Sequence, residues 1–381
     1  MANYGKRHYF LLIASVFALF LLKLLTNAGA ATKPVYAVCS NCHTMHASQD
    51  SVLIREGSAP EVGVVGNCIE CHGRYRWMLL KMDCIGCHAK DVSGGSSIIT
   101  FGAPGYRVPQ VAHSGTDLAG GNFRHAFGVG NESKGHNVHG FGINLSYGDL
   151  FNLPPGYDAS RDPSSLKYNQ FSDVAQVMCA GANGCHGNRD QLSHIEAMRG
   201  SHHTNDAILQ LGGGFTETGQ GATPGLSYRF LYGVHGGEDS DWEATKGPAD
   251  HNEYKGAAGP TASSTYANTD TISEFCGECH GSFHGGSSSP WFRHPTDIPL
   301  PNSGEYTNYA AYNNTIPLAR QSIPNGSSAS STITRGTDAV MCLSCHRAHA
   351  SPYAKILRWD YKNTTLSTAL SGCATCHSSL N

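Results

Sequence analysis

The chain has 381 residues and a formal net charge of −3 at pH 7, and only 14% of its residues are charged, while 45 are Gly, 21 are His and 14 are Cys. An average soluble domain carries about 25% charged residues, and a chain so rich in small, loop-forming residues cannot fill a large core with its own side chains. The acidic balance argues against nucleic acid as a partner, because nucleic-acid-binding proteins present a basic surface.

The first 30 residues have the organisation of a secretory signal peptide. Basic residues at 6–7 precede an apolar run at 9–22, and residues 28–30 read Ala-Gly-Ala, as at a cleavage site. An uncleaved anchor helix is the alternative, although the run is shorter than the ~20 residues of a membrane span and Lys23 interrupts it. We therefore expect an exported protein that contacts a membrane only through this segment, unless the segment stays attached.

The cysteines fall into seven pairs, and a His follows the second Cys of every pair. Six pairs have the spacing C-x-x-C-H, in which two thiols attach one c-type haem and the His binds its iron as proximal ligand. A zinc site, a redox dithiol or a disulfide framework gives no reason for a His after every second Cys. The six motifs comprise Cys39, Cys42 and His43; Cys68, Cys71 and His72; Cys84, Cys87 and His88; Cys276, Cys279 and His280; Cys342, Cys345 and His346; and Cys373, Cys376 and His377.

The seventh pair is wider. Cys179 and Cys185 are separated by five residues, and His186 follows. The insert at 180–184 is Ala-Gly-Ala-Asn-Gly, which is small enough to form a looped-out turn that still presents both thiols to one ring. A plain disulfide is the alternative, but a haem at this pair leaves none of the 14 cysteines over. We predict seven covalently attached haem c groups.

Thirteen further histidines remain for seven irons once His8 of the signal segment is set aside, whereas Met, the other common axial ligand, is scarce. This surplus favours bis-His iron, which has no open position and suits electron transfer. His46 and His349 each lie three residues after a proximal His, so on one helical turn they should reach a neighbouring haem. Further candidates for distal ligands in loops are His113, His136, His202, His251 and His294. The alternative candidates for the same role are His125, His139, His194, His203, His235 and His284.

A two-haem unit recurs near both ends of the chain, at residues 39–72 and 342–377, and the match extends beyond the haem motif to His-Ala-Ser. The predicted fold is mostly irregular loops with short α-helices and minor β-structure, wrapped around a closely packed chain of covalently bound haems. The predicted helical segments are 69–82, 190–200 and 340–353, and the predicted strand is 226–233. The predicted regions are a signal peptide at 1–30, an N-terminal three-haem region at 31–165, a central single-haem region at 166–265 and a C-terminal three-haem region at 266–381.

The chain resembles the exported multihaem c-type cytochromes with a doubled C-x-x-C-H motif, which occur in bacteria and archaea that respire outside the cell. This resemblance implies bis-His haems in a tightly spaced chain and electron transfer in the periplasm, at the outer cell surface or outside the cell. Some of the proteins that the chain resembles polymerise into haem-lined filaments. The segments that carry the resemblance are 39–48, 120–123, 135–138, 200–203, 250–256, 293–297, 341–349 and 357–360.

Two functions from different classes are compatible with seven haems. The first is an electron conduit, either a shuttle or a filament subunit, whose partners are other redox proteins, further cytochrome subunits or extracellular acceptors. The second is a reductase of nitrite, hydroxylamine or a sulfur oxyanion, which needs one iron with a free distal face. Such enzymes often replace the motif His by Lys, and none of the seven motifs does so. We therefore expect an electron carrier rather than an enzyme.

Overall fold

The computed structural model describes the chain in separate segments, which leave out most of the first 83 residues. They are 48–49, 52–53, 84–101, 106–138, 140–141, 154–157, 177–189, 197–198, 228–257, 270–283, 296–323 and 329–380.

Helices are short wherever the structure describes the chain, and the longest has six residues. Two of them begin at the first Cys of a C-x-x-C-H motif. Thr271 caps the longest one by accepting a hydrogen bond from the Glu274 amide at 3.1 Å. None of the described helices has the length and apolar character needed to cross a bilayer. The α-helices are α1 (Cys84–His88), α2 (Ile272–Gly277), α3 (Cys342–Cys345) and α4 (Leu366–Ala369).

The described strands form five separate two-stranded sheets. Four pairs are antiparallel, and the pair β5–β6 is parallel. The strands are β1 (Ser48–Gln49), β2 (Val52–Leu53), β3 (Ile98–Phe101), β4 (Tyr106–Pro109), β5 (Met178–Ala180), β6 (Gly184–His186), β7 (Gly236–Gly237), β8 (Glu253–Tyr254), β9 (Ile298–Pro299) and β10 (Ala339–Val340). Together with the short helices and long loops, these small sheets confirm the predicted fold class.

Buried apolar side chains form three small clusters among the described residues rather than one core. The first contains Tyr228, Tyr254, Ile272 and Met341. The N-terminal cluster packs Ala112, Phe123, Ala126 and Val138 around Ala350, which comes from near the other end of the chain. The C-terminal cluster contains Leu300, Tyr309, Leu318 and Trp359. The first two clusters join residues from different predicted regions, so the division into three haem regions stays a prediction.

The segment 346–351 runs against residues 120–136 and carries two predicted ligands into that part of the fold. The His349 amide donates to the Gly120 carbonyl at 2.7 Å, and the His136 amide donates to the His349 carbonyl at 3.0 Å. Gly121, with φ of +88°, is required here, because a Cβ at that position would lie 2.0 Å from the Ala350 carbonyl oxygen.

Three of the predicted elements can be compared with the described residues. Within 340–353 only α3 is helical, and it ends at Cys345, because the next residue, His346, is extended with φ of −113°. The strand predicted at 226–233 is wrong for its described part, because Tyr228–Phe230 form a 3-10 turn in which Arg229 is left-handed. Segment 190–200 is described only at 197–198, and 69–82 lies outside the described residues.

Candidate haem-binding sites

Each C-x-x-C-H motif among the described residues occupies a single helical turn. The motif His donates its amide N–H to the carbonyl of the first Cys, over 3.0 Å for His280 and His346 and over 2.9 Å for His377. The Cys84–His88 motif is itself α1. Because residues three and four apart share a helix face, the two thiols and the imidazole of each motif can meet one flat ring from the same side.

In the wider motif, a tight coil of the chain brings the two cysteines together. Cys179 and Cys185 lie on β5 and β6, which pair in parallel although only residues 181–183 connect them. Such a connection needs small residues: Gly181 has φ of +83°, and a Cβ on Gly184 would lie 2.6 Å from the Ala180 backbone. Cys185 is an exposed free thiol in the structure.

The motif histidines are oriented by hydrogen bonds at Nδ1, which leave Nε2 as the nitrogen to bind a metal. Four of them have a main-chain carbonyl oxygen at Nδ1, and the fifth has a carboxylate. The partners are the Pro109 carbonyl for His88 (3.0 Å), the Arg229 carbonyl for His186 (2.9 Å), the Pro155 carbonyl for His280 (2.6 Å), the Lys355 carbonyl for His346 (2.8 Å) and Glu305 Oε1 for His377 (3.0 Å).

Two of these carbonyls come from left-handed turns made without glycine. Arg229 and Phe230 have φ of 52° and 57°, and Lys355 and Ile356 have φ of 62° and 59°. Non-glycine residues adopt this conformation at a cost of roughly 1–3 kcal/mol each. In both turns the first residue supplies the carbonyl that meets a proximal His. The backbone strain is thus placed where it aims an acceptor at an imidazole.

Two predicted distal ligands lie beside motif histidines at a centroid spacing that would fit one metal ion between the two rings. The ring centroids of His136 and His280 are 6.2 Å apart, and those of His186 and His349 are also 6.2 Å apart. An imidazole nitrogen binds a metal at about 2 Å, with the ring centre about 1.1 Å further back, so two rings on opposite faces of one ion have centroids about 6.2 Å apart. The His349 ring thus lies beside a motif histidine other than His346.

The remaining described histidines lie in different surroundings. His113 is fully buried, and neither of its ring nitrogens has a hydrogen-bond partner among the described residues, as expected for a side chain placed to bind a metal. The His251 ring stacks on Tyr312 with centroids 3.5 Å apart, and its Nε2 lies 3.5 Å from Glu253 Oε1. Two of the alternative candidates pair with carboxylates instead: His125 with Asp117 at 2.9 Å and His235 with Asp270 at 3.3 Å.

Burial keeps the facing imidazoles neutral, which is the form that binds a metal. Burial, followed by the nearby His280, lowers the pKa of His136 to about 4. Burial and then His186 lower the pKa of His349 to about 3. Burial also lowers the pKa of His186 and of His280. All four rings are therefore unprotonated at neutral pH.

Successive motifs among the five described are linked to one another by shared packing or by polar contacts. Ile85 of the third motif and Cys179 of the fourth pack on the N-terminal cluster, and an Arg189–Glu278 ion pair joins the fourth motif to the fifth.

The fifth motif meets the sixth through a hydrogen bond from the Cys342 amide to Ser273 Oγ at 3.3 Å. Cys345, Cys373 and Cys376 share the C-terminal cluster, which joins the sixth motif to the seventh. Each described motif is thus linked to the next one through a shared apolar cluster, an ion pair or a hydrogen bond.

Two arginines near the sixth motif carry charge without a contacting carboxylate in the part of the chain that the structure describes. Arg347 donates to the carbonyls of Leu118 and Ala119, and burial, followed by the nearby Arg358, lowers its pKa to about 10. Arg358 is 8% exposed and donates to the carbonyls of Leu343 and His346. A buried cation needs an anion, and haem propionates are anions.

Several predicted site residues lie outside the described residues, and several useful residues were not predicted. Pro109, Pro155, Arg229 and Lys355 act through main-chain carbonyls, for which the sequence carries no side-chain signal. A sequence signal for Arg229 and Lys355 does exist, because each begins the same three-residue pattern of a basic residue, an apolar residue and Leu. The undescribed site residues are Cys39, Cys42, His43, His46, Cys68, Cys71, His72, His202 and His294.

The chain is similar to known cytochromes. Residues 335–381 match the family model described as the doubled CXXCH motif. The C-terminal segment of the chain is therefore similar to proteins with the doubled CXXCH motif.

The relative with which it aligns over most of its length is C-type cytochrome OmcS of Geobacter sulfurreducens, at 25% identity over 411 residues, covering 93% of this chain and 86% of OmcS. A solved filament of Outer Membrane Cytochrome S from the same organism aligns with 90% of this chain and 98% of its own, at 18% identity and a TM-score of 0.43. A second structure, of OmcS nanowires, gives 18% identity and a TM-score of 0.39, with 85% of this chain and 84% of that one covered.

Proposed function

We propose that this chain is a heptahaem c-type cytochrome that carries electrons outside the cytoplasm through bis-His haems. The observation that carries the proposal is the pair of facing histidines at 6.2 Å, found twice, each time with one motif histidine and one from a distant part of the chain. Both spacings leave room for one iron between two imidazoles and for little else.

Each residue type has a distinct role in this proposal. The 14 motif cysteines attach the seven haems, and the seven motif histidines bind from the proximal side. His136 serves as distal ligand to the fifth haem and His349 to the fourth. His46, His113, His202, His251 and His294 remain the candidates for the other irons. When bound, haem supplies a one-electron couple between ferric and ferrous iron.

The facing histidines favour an electron carrier over a reductase. A reductase must admit its substrate to a free face of one iron, whereas His136 and His349 lie beside motif histidines at a spacing at which each would bind the same iron as that motif histidine. The contacts between successive motifs support a relay, because they keep neighbouring attachment sites close along the chain. Arg347 and Arg358 would hold haem propionates in this relay through charge-assisted hydrogen bonds.

Location, partners and domain organisation follow from the sequence and from the similarity to OmcS. We propose export directed by residues 1–30, three haems within 31–165, one within 166–265 and three within 266–381. Partners are other redox proteins or further cytochrome subunits, and extracellular acceptors. The structure of OmcS has been solved as a filament. The alignment with OmcS covers 93% of this chain, and this sequence similarity supports the proposal that this chain polymerises.

Haem counting and spectroscopy on the purified protein test the proposal. Intact-mass measurement under denaturing conditions should give a chain with seven covalently attached haems, since thioether bonds survive unfolding. The oxidised and reduced spectra should be entirely low spin, and carbon monoxide should not bind. Six haems would remove the Cys179–Cys185 site, and a high-spin iron or carbon monoxide binding in the wild type would favour the reductase.

A further inference from the structure

We propose that Glu305 is a positioning residue that lowers the reduction potential of the C-terminal haem by accepting a hydrogen bond from its proximal ligand, His377. This inference rests on the proposed function, because it assumes a haem at Cys373 and Cys376. It goes beyond that function by assigning one site of the relay a different electronic environment from its neighbours.

The geometry separates this histidine from the other motif histidines. His377 Nδ1 lies 3.0 Å from Glu305 Oε1, whereas the four other described motif histidines have a main-chain carbonyl at that nitrogen. A carbonyl is a neutral acceptor, but a carboxylate carries a full negative charge and makes a stronger, charge-assisted bond. His377 is therefore the motif histidine with the most anionic partner among those described.

Glu305 is held in place for this contact. Its second carboxylate oxygen, Oε2, accepts from the Ser379 amide at 3.2 Å and also from the Ser379 hydroxyl. Its main-chain carbonyl accepts from Ser378 Oγ at 2.9 Å. The Tyr306 ring lies edge-on to the His377 ring, with centroids 5.2 Å apart. The imidazole thus has a fixed orientation and a fixed acceptor.

The consequence for the iron follows from the charge. A carboxylate at Nδ1 draws the N–H proton toward itself and increases electron density on Nε2, which makes the imidazole a stronger donor. Stronger donation stabilises ferric iron more than ferrous iron. Reduction by an external donor adds one electron to the iron, and the proton stays in the hydrogen bond. This site would remain oxidised at potentials where its neighbours are already reduced.

The test is a redox titration of purified holoprotein carrying Glu305→Gln. The amide keeps an acceptor oxygen but loses the charge, so one step, worth one electron per chain, should move to a more positive potential while the others stay in place. Changes to a ligand's hydrogen-bond partner commonly alter metal affinity by about tenfold or more. A tenfold change in the ferric-to-ferrous ratio equals about 59 mV for one electron.

Two further variants make the result specific. Ser379→Ala removes one donor from the carboxylate and leaves it more basic, so the same step should move in the opposite direction, to a more negative potential. Glu132→Gln removes the same charge from a carboxylate that accepts from the Gly130 amide and should leave the titration unchanged. A ferric EPR spectrum should show altered g-values for one low-spin haem in Glu305→Gln.

The outcomes separate this inference from the proposed function. A wild-type mass that lacks the haem at Cys373 and Cys376 would remove the site itself. Seven low-spin haems combined with a Glu305→Gln titration that superimposes on the wild type would overturn the role of Glu305 alone. Positive shifts in both Glu305→Gln and Ser379→Ala would also overturn it, because they would indicate loss of packing rather than loss of charge.

Discussion

Replacing His136 with Ala should convert one haem in seven from low spin to high spin. The His136 and His280 ring centroids are 6.2 Å apart, a spacing at which one iron would bind both Nε2 atoms at about 2 Å. With Ala at this position, the nearest side-chain atom of residue 136 would be about 5.5 Å from that iron, which leaves room for a diatomic ligand. The fifth haem alone should change, because the other six keep both ligands.

Carbon monoxide titration of the reduced protein measures this directly. His136→Ala should bind one carbon monoxide per chain and show one high-spin ferric signal, while the wild type shows neither. His125→Ala is the matched control, since His125 pairs with Asp117 at 2.9 Å and should leave every haem low spin. A His136→Ala protein that holds seven haems, stays low spin and does not bind carbon monoxide would refute the pairing of His136 with His280.

Two further predictions concern haem number and stability. Replacing both Cys179 and Cys185 with Ser should lower the intact mass by one haem, and an unchanged mass would show that this pair attaches none. Arg320→Met should lower the stability to urea, monitored by circular dichroism, by about 3–5 kcal/mol, because Glu253 and Asp338 would lose their buried counter-ion. Arg107→Met, at an exposed position, serves as the control, and an equal loss of stability there would contradict this explanation.

The two thiols and the proximal His of each C-x-x-C-H site could be predicted from the sequence, because their relative positions depend only on spacing within one helical turn. C-x-x-C-H places two thiols and an imidazole on one helix face wherever it occurs. The wider pair was also accessible, since five small residues between Cys179 and Cys185 indicated a looped-out turn, and Gly181 and Gly184 form it.

The partners of the distal histidines could not be predicted, because they depend on how remote segments pack. The offset of His349 from His346 excluded a shared iron but did not say which motif His349 would face. That choice is made where segment 346–351 forms main-chain hydrogen bonds to residues 120–136. Main-chain contacts of this kind leave no pattern of residue types in either segment.

The incorrect strand at 226–233 has a physical reason connected with the site. Alternating apolar residues there favour an extended chain, but Arg229 and Phe230 are left-handed. The turn directs the Arg229 carbonyl to His186 Nδ1 at 2.9 Å. The local preference for an extended backbone is overridden where a carbonyl must accept a hydrogen bond from a metal-binding histidine. Such exceptions are expected at functional sites.

The long sequence separation of the facing histidines has a consequence for how the protein is made. Roughly 150 residues separate His136 from His280, and a similar number separates His186 from His349. Each shared iron would therefore close a loop, as a cross-link does. The loss of conformational entropy in the unfolded chain would correspond to a free energy of about 4–5 kcal/mol. On the proposed export route, neither loop could close until its C-terminal ligand has left the export machinery. Haem attachment at the early motifs would therefore precede completion of their iron coordination, and truncation before His349 should leave the fourth haem with one axial ligand.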